Sequence, residues 1–523
     1  MKKATVYSIL FYFFSGLFLT LGTFLLFTLL WFFNNFGKSV GMDAIIFTLF
    51  SDLNGTDSTP VIAFLLESVL PTVLCSATLI TLLVLIPKVF FKRFFKDSVR
   101  RTVYRIIALA LSAIFAIVSF ERSGNAIGLF EYIQQQCDST ELFDTEYVHP
   151  KDTNIKFPEK KRNLVYIYLE SMEISFMDTE NGGALKKNVI PELTSLAKNH
   201  TNFSHRDGVG GALTPVGTTW TIAATIAQTS GVPLCLPNNI WNNGLGKYSL
   251  VLPGLTTLSD ILDQNGYNQA LMMGSDATFA GQGKYYSQHG TENIYDYYTA
   301  QDVENLLPYK DYHDEFWGIE DHYLYEYAKE VLTDLSKKEE PFAFTMFTID
   351  THSPSGNICL MCRRRSIKGM SDQEKKNTRF EDVLSCASCQ INDFVEWLSC
   401  QPFYENTTVI IVGDHNSMNN TYFSTVVPQD YTRRVYNCII NAPIKPTKEK
   451  NRDFTTFDMF PTTLAALGCT IEGDRLGLGV NLYSDEQTLC ERYGIDYLNK
   501  EISKASPYYD RNFLYGSRSI TEE

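Results

Sequence analysis

Positive charge is scarce in this sequence. Its 45 Lys and Arg stand against 59 Asp and Glu, a formal charge of −14. Nucleic-acid binding calls for a basic footprint, so the charge argues against that class of function. Histidine is rare as well, with eight among 523 residues, and each can be weighed singly. No internal repeat or low-complexity tract occurs, which sets aside repeat architectures. Cysteine is nearly missing from the first 120 residues, where Cys75 stands alone; the other ten lie downstream. No small-residue cleavage site follows the first apolar run, so that run does not read as a removable leader.

Long apolar runs, by contrast, are plentiful near the start. They cover Val6 to Phe33, Val69 to Ile86 with an extension back to Pro60, and Val103 to Phe120. A membrane span needs about 20 apolar residues. Residues 1–122 therefore read as a membrane anchor with three spans, at about 6–33, 60–88 and 103–120. Met42 to Phe50 is apolar but short and reads as an interfacial segment, and Glu67 reads as a solvated residue near the outer end of the second span. Six Lys or Arg lie between Lys88 and Arg101. Short loops this basic stay in the cytoplasm, which puts everything after about Ser123 on the far side. Residues 123–161, with breakers at His149-Pro150 and Phe157-Pro158, read as a linker, and 162–523 as an exterior domain.

Outside the cytoplasm, disulfides are the default for cysteine. "CLMC" (Cys359, Cys362) and "CASC" (Cys386, Cys389) would elsewhere suggest a zinc ribbon. Here disulfides are expected, with Cys362 and Cys386 the first candidate pair, although sequence alone does not fix the pairing.

From Asn163 onward, strand-like and helix-like segments alternate. "NLVYIYLES", the run ending near Asp276, "PFAFTMFTIDTHSP", "TTVIIVGDH" and "RRVYNCIINAP" read as strands, and "FTTFDMFPTTLAALG" as a helix. Nearly continuous apolar strands in alternation imply a mainly parallel sheet covered on both faces. Three of these strands end in residues that bind metals: Glu170, His352, and the pair Asp414-His415. One polar residue at a strand end caps a turn. A carboxylate, an imidazole and an Asp-His pair at three ends of one sheet suit a divalent ion and a phosphate, because open α/β sheets bind ligands at their carboxyl edge. Such a donor set does not separate Zn²⁺ from Mn²⁺. Between the first two of these strands, a Gly-rich loop from Gly208 runs into a helix starting near Thr221. Thr218, Thr219 and Thr221 read either as helix caps or as hydroxyls facing a phosphate at the helix amino terminus.

Together "YLESME", "GTTWTIAATIAQTSGVPL", "DTHSP", "GDHNSMNNT" and "DMFPTTLAALG" resemble the alkaline phosphatase and sulfatase superfamily over roughly Asn163 to Gly468. Within it they look most like the membrane-anchored branch of lipoteichoic acid synthases, phosphoethanolamine transferases and phosphoglycerol transferases. The resemblance implies a transmembrane anchor plus an alkaline-phosphatase-like α/β domain. It implies one divalent ion, Mn²⁺ or Zn²⁺, held by Glu170, Thr221, Asp414 and His415. Thr221 is the implied nucleophile, with Thr218 and Thr219 as competitors, and His352 holds the substrate phosphate. The synthases place an Arg on the loop after the strand ending at Asp276. Here that loop reads "FAGQGK", and Lys284 is the nearest cation, so Asp276 and Lys284 are the implied substrate contacts. The other histidines, His149, His200, His205, His289, His313 and His322, lack such context, though His313 and His322 are candidates for lining an acceptor groove.

The implied reaction moves phosphoglycerol from phosphatidylglycerol, through a phospho-threonine, to a hydroxyl of a periplasmic glucan or other envelope glycan. The implied setting is a multi-pass protein of the bacterial inner membrane with its catalytic domain in the periplasm. A phosphoethanolamine or glycerol-phosphate polymer transferase is the alternative enzyme, and a membrane-anchored binding protein with a degenerate site is the alternative of another class. Sulfatases proper carry an oxidisable Cys or Ser in C/S-x-P-x-R, which this sequence lacks, so sulfate ester hydrolysis is not expected.

Overall fold

The computed structural model describes residues 3–35, 59–89, 98–130, 133–134, 138–235, 250–308, 318–353, 356–359, 362 and 364–514. The chain divides into two compact units, the first holding residues 1–42 and 57–134 and the second residues 43–56 and 135–523.

The first unit is built of long helices. Helix α1 is Lys3–Asn35, α2 is Leu70–Val89 and α3 is Ser98–Ala126. A short helical lead, Thr59–Phe64, and a π turn, Leu65–Val69, run into α2. Within these elements the stretches Tyr7–Asn34, Ile62–Pro87 and Val99–Ala126 are long and apolar enough to cross a membrane. Helices α1 and α3 approach closely at Gly22, where a Cβ would lie 2.5 Å from the Phe115 ring. Tyr104 donates to the Leu83 carbonyl at 2.8 Å, which joins α3 to α2. Glu67 falls in the π turn. The expected interfacial segment, Met42 to Phe50, and much of the basic Lys88–Arg101 stretch lie outside the described residues.

The second unit is organised by a six-stranded sheet. Its strands are β1 (Asn163–Leu169), β2 (Asn268–Met273), β3 (Asn293–Tyr295), β4 (Phe342–Phe347), β5 (Thr407–Gly413) and β6 (Asn437–Ile440). In space they run β3-β2-β4-β1-β5-β6. All neighbours are parallel except the edge pair β5–β6. Every residue of β5 is buried, as is all of β1 after Asn163. That burial accounts for their continuous apolar composition, since both faces of a parallel sheet are covered. Helices α4 (Thr221–Ser230), α5 (Gln282–Gln288), α6 (Asp321–Leu335), α7 (Asp372–Ser399) and α8 (Met459–Ala466) complete the layers, followed by α9 (Ile495–Ile502).

The expected linker at 123–161 is corrected in its later part. Residues from 135 belong to the second unit. Phe143 is buried against Tyr509 and Phe513, with ring centroids at 5.3 and 6.1 Å. Glu146 binds Arg475, Arg492 and Tyr493, and Ile155–Lys156 pairs with Thr470–Ile471. A few anchors hold an otherwise polar stretch, and polarity hid them.

Candidate functional site

The strand order sets the site. Central β1 lies between β4 and β5, so the segments leaving these three strands emerge side by side. Leu169 and Gly413 are register partners. The next residue on each strand is therefore a carboxylate, Glu170 or Asp414, and the two are neighbours. Gly413 is required by close approach: a Cβ there would lie 1.9 Å from the Met172 carbonyl oxygen.

Glu170, Asp414 and His415 are all buried, and their donor atoms lie within 4.8 Å of one another. His415 Nε2 is 3.3 Å from Asp414 Oδ2 and 3.6 Å from Glu170 Oε1. Thr221 Oγ1 stands 3.4 Å from the same Nε2. His415 Nδ1 lies 2.9 Å from the Asn416 carbonyl oxygen and can only donate to it. That bond fixes the neutral tautomer with its Nε2 lone pair turned to the carboxylates, as metal-binding imidazoles require. Asp414 Oδ1 accepts the N–H groups of Ser171 and His415, both at 2.7 Å. Its Oδ2 is buried and makes no hydrogen bond. Burial and the Glu170 carboxylate push Asp414 up to about 7. His415 is raised too, because Asp414 and Glu170 outweigh the lowering effect of burial. Two buried carboxylates, one of them with an oxygen that makes no hydrogen bond, and an imidazole nitrogen lie together in a group of the kind that holds a divalent cation, with the Thr221 hydroxyl beside the imidazole.

Thr221 opens α4, whose amino-terminal cap position is Trp220, and no side chain caps the helix. The threonines thus do not serve as caps, and the positive end of the helix faces the site. The Thr218 hydroxyl donates to the Pro215 carbonyl at 2.8 Å and closes the preceding turn. Thr219 is half-buried. Of the three, Thr221 is the one the structure places against His415.

His352 is half-buried on the segment leaving β4. This segment is fastened to Glu170 twice: Thr348 Oγ1 accepts the Glu170 N–H at 3.1 Å, and the Thr351 hydroxyl donates to the Glu170 carbonyl. Asp321 on α6 holds it from behind, accepting the N–H groups of Ile349 and Asp350 at 2.7 and 3.3 Å. Asp276 is also half-buried, and its carboxylate accepts the Thr278 N–H and hydroxyl at 2.8 and 2.7 Å. Lys284 is half-buried on α5, whose first residue, Gln282, reaches Thr225, one turn along α4 from Thr221, at 3.4 Å. His289 pairs with Asp260 at 2.8 Å. The His322 ring lies against Tyr323 at 5.1 Å, and His313 is outside the described residues.

Several supporting residues carried no sequence signal of their own. Ser171 adopts φ 53°, a left-handed conformation uncommon outside glycine. From there its hydroxyl donates to Glu170 Oε1 at 2.6 Å while its N–H serves Asp414. Gln228 on α4 donates to the Gly413 carbonyl at 3.3 Å and accepts from Tyr166 at 2.9 Å, linking the Thr221 helix to the end of β5. Glu173 is fully buried. It receives Arg433 Nε at 2.9 Å, the Ser417 N–H at 2.7 Å and the Ser175 hydroxyl at 2.5 Å. Glu173 and Arg433 therefore clamp the loop after His415. Glu173→Ala leaves a largely buried guanidinium unpaired, so a loss of about 3–5 kcal/mol is expected. Denaturant unfolding measures it, and a loss under about 1 kcal/mol would show that the pair holds nothing.

This sheet, with its acidic and imidazole donors at one carboxyl edge, defines an alkaline-phosphatase-like α/β domain built for a divalent ion. The pattern of the family described as Sulfatase matches residues 162–469, more than half of the chain, and the chain belongs to that family. The superfamily uses a divalent metal ion, and the Glu170, Asp414 and His415 group is of the kind that holds one. Phosphoglycerol transferase I of Salmonella choleraesuis is 28% identical over 451 residues, covering 86% of this chain and 54% of that protein. The protein of the same name from Escherichia coli is 29% identical over 378 residues, 72% of this chain and 45% of that one. The chain thus spans about half the length of the curated relatives it matches. Among solved structures, the lipooligosaccharide phosphoethanolamine transferase A of Neisseria meningitidis aligns with a TM-score of 0.52 at 12% identity, over 87% of this chain and 84% of that one, a likeness of fold.

Proposed function

We propose that this chain is a membrane-anchored transferase that moves phosphoglycerol from phosphatidylglycerol to a hydroxyl of a periplasmic glucan or similar envelope glycan. The observation that carries the reading is the Thr221 hydroxyl at an uncapped helix start, 3.4 Å from the Nε2 of His415. The relatives named phosphoglycerol transferase I favour glycerophosphate as the transferred group. The lack of an oxidisable Cys or Ser before an Arg argues against sulfate ester chemistry.

In this reading Glu170, Asp414, His415 and the Thr221 hydroxyl hold a divalent ion, Mn²⁺ or Zn²⁺. When bound, it supplies the positive charge that makes a threonine hydroxyl a usable nucleophile near neutral pH. Thr221 attacks the phosphodiester phosphorus, the bond to the diacylglycerol oxygen breaks, and the threonine proton ends on diacylglycerol. Glycerophosphate then sits on Thr221. A sugar hydroxyl attacks the same phosphorus from the vacated side, and Thr221 regains its proton. His352 and the first N–H groups of α4 face the charge that builds on the phosphoryl oxygens. Asp276 and Lys284 lie on the next segment over and take the role of outer substrate contacts. The three apolar helices anchor the chain in the membrane that holds the lipid donor, and the basic Lys88–Arg101 stretch supports a periplasmic side for residues 162–523, the catalytic domain.

The test is mass spectrometry after incubation with phosphatidylglycerol, together with transfer by intact spheroplasts to a glucan added outside. A glycerophosphate adduct on the Thr221 peptide and product outside are expected. An ethanolamine-phosphate adduct from phosphatidylethanolamine alone would assign the head group to the alternative enzyme. No adduct from either lipid and no transfer would leave a binding protein.

A further inference from the structure

Four cysteines lie where the His352 segment meets helix α7. Cys359 and Cys362 follow His352 by seven and ten residues, and Cys386 and Cys389 are one turn apart within α7. The sulfurs of Cys359, Cys362 and Cys386 all lie within 4.8 Å of one another, and Cys386 Sγ is 3.5 Å from Cys359 Sγ. In the structure they are thiols. Cys359 and Cys386 are buried with Ile358 and Val383 in a small apolar cluster against which Cys362 packs. Gly356 is pressed into the same contact, since a Cβ there would lie 2.8 Å from Val383 Cγ1. Arg365, further along the chain, is tied separately to α7 by its bonds to Glu381 and Asp382.

We infer that this cluster is an oxidation site that staples the His352 segment to α7, with Cys386 bonded to one of the two loop cysteines and the remaining loop cysteine bonded to Cys389. An apolar setting penalises thiolates. It therefore disfavours a metal held by several thiolate charges and accepts a neutral disulfide. Each bond forms by exchange with the disulfide of a thiol–disulfide oxidoreductase outside the cytoplasm: two thiols lose two protons and two electrons, and the oxidoreductase leaves as a dithiol. Once a more exposed cysteine of the group has formed the mixed disulfide, Cys386 lies within reach of the loop, its sulfur 3.5 Å from that of Cys359. The staple ties a segment of the candidate site, through six intervening residues, to a helix of 28 residues. Its existence rests on the domain lying outside the cytoplasm and not on the identity of the transferred group.

The experiment uses the full chain purified from the membranes of its host without reductant, with free thiols alkylated before digestion. The peptide holding Cys359 and Cys362 should appear joined to the peptide holding Cys386 and Cys389. Reduction should lower the melting temperature by several degrees, and Cys386→Ala should show the lowered value before any reductant is added. Cys389→Ala, at an exposed position, should keep the cross-linked peptide pair through Cys386. Four alkylated thiols, stoichiometric zinc, or bonds confined within each Cys-x-x-Cys would each overturn the inference. An unchanged melting temperature on reduction would do the same, because a bond that holds nothing is not a staple.

Discussion

Thr221→Ala is expected to lower transfer by about 10³-fold or more while leaving metal binding in place. A residue that carries the covalent intermediate is not bypassed cheaply, and knockouts of such groups cost at least this much. Glu170, Asp414 and His415 hold one another through Ser171 and the strand ends, not through Thr221. The variant should therefore bind the ion with affinity lowered only by the loss of one hydroxyl. Thr218→Ala removes a bond to the Pro215 carbonyl, a change on the order of 1 kcal/mol in stability with most activity kept. Thr221→Ser keeps the attacking oxygen and should keep part of the rate. Steady-state rates and metal content, measured on the same preparations, check all three. Full activity in Thr221→Ala would remove this residue from the reaction.

The second large effect is expected at Asp414, and it has two signs. Asp414→Asn should abolish metal-dependent activity and, with it, the rise in melting temperature on adding Mn²⁺ or Zn²⁺. A ligand at 1,000 times its dissociation constant stabilises by about 4 kcal/mol, which is the amount lost. Without metal the order reverses. Asp414 is buried beside Glu170, which together raise its carboxyl to about 7. Above that pH the metal-free protein confines two buried carboxylates with one orphaned oxygen. Asn removes one of those charges, so the metal-free variant should melt higher than the metal-free parent at pH 8. Calorimetry of both proteins, with and without chelator, separates the two effects. A variant that still gains stability from metal, or a metal-free variant that melts lower than its parent, would show that the carboxylate serves the fold and not an ion.

The residues that meet in this site were readable as far as chemistry is written in residue type and position along an element. Continuous apolar runs made β1, β4 and β5 legible, and the abrupt change to Glu170, His352 and Asp414-His415 marked their carboxyl ends. Helical character beginning near Thr221 was readable, but the choice of Thr221 over Thr218 and Thr219 came from the family resemblance and not from the helix pattern. What was not legible depends on partners far away in the chain. Thr348 and Thr351 are ordinary threonines until the sheet brings them to the backbone of Glu170. Ser171 shows its left-handed turn only in three dimensions. Arg433 and Glu173 are 260 residues apart. Strand β3, three residues long, is too short to show a pattern. The stretch around Phe143 and Glu146 looked like a tether because two anchors in a polar run do not make a period.

The strand order also sets a timetable for synthesis. Strand β1 is made early, yet it occupies the middle of the sheet and pairs on one side with β4 and on the other with β5, whose last residue is Gly413. Ser171 waits 243 residues for the carboxylate it binds. At roughly 5–20 residues per second this is on the order of 10–50 s. For most of that interval a largely apolar strand has neither neighbour, since β4 ends only at Phe347, and for the rest it still lacks β5; the acidic and imidazole group at its end stays incomplete until Asp414 and His415 are made.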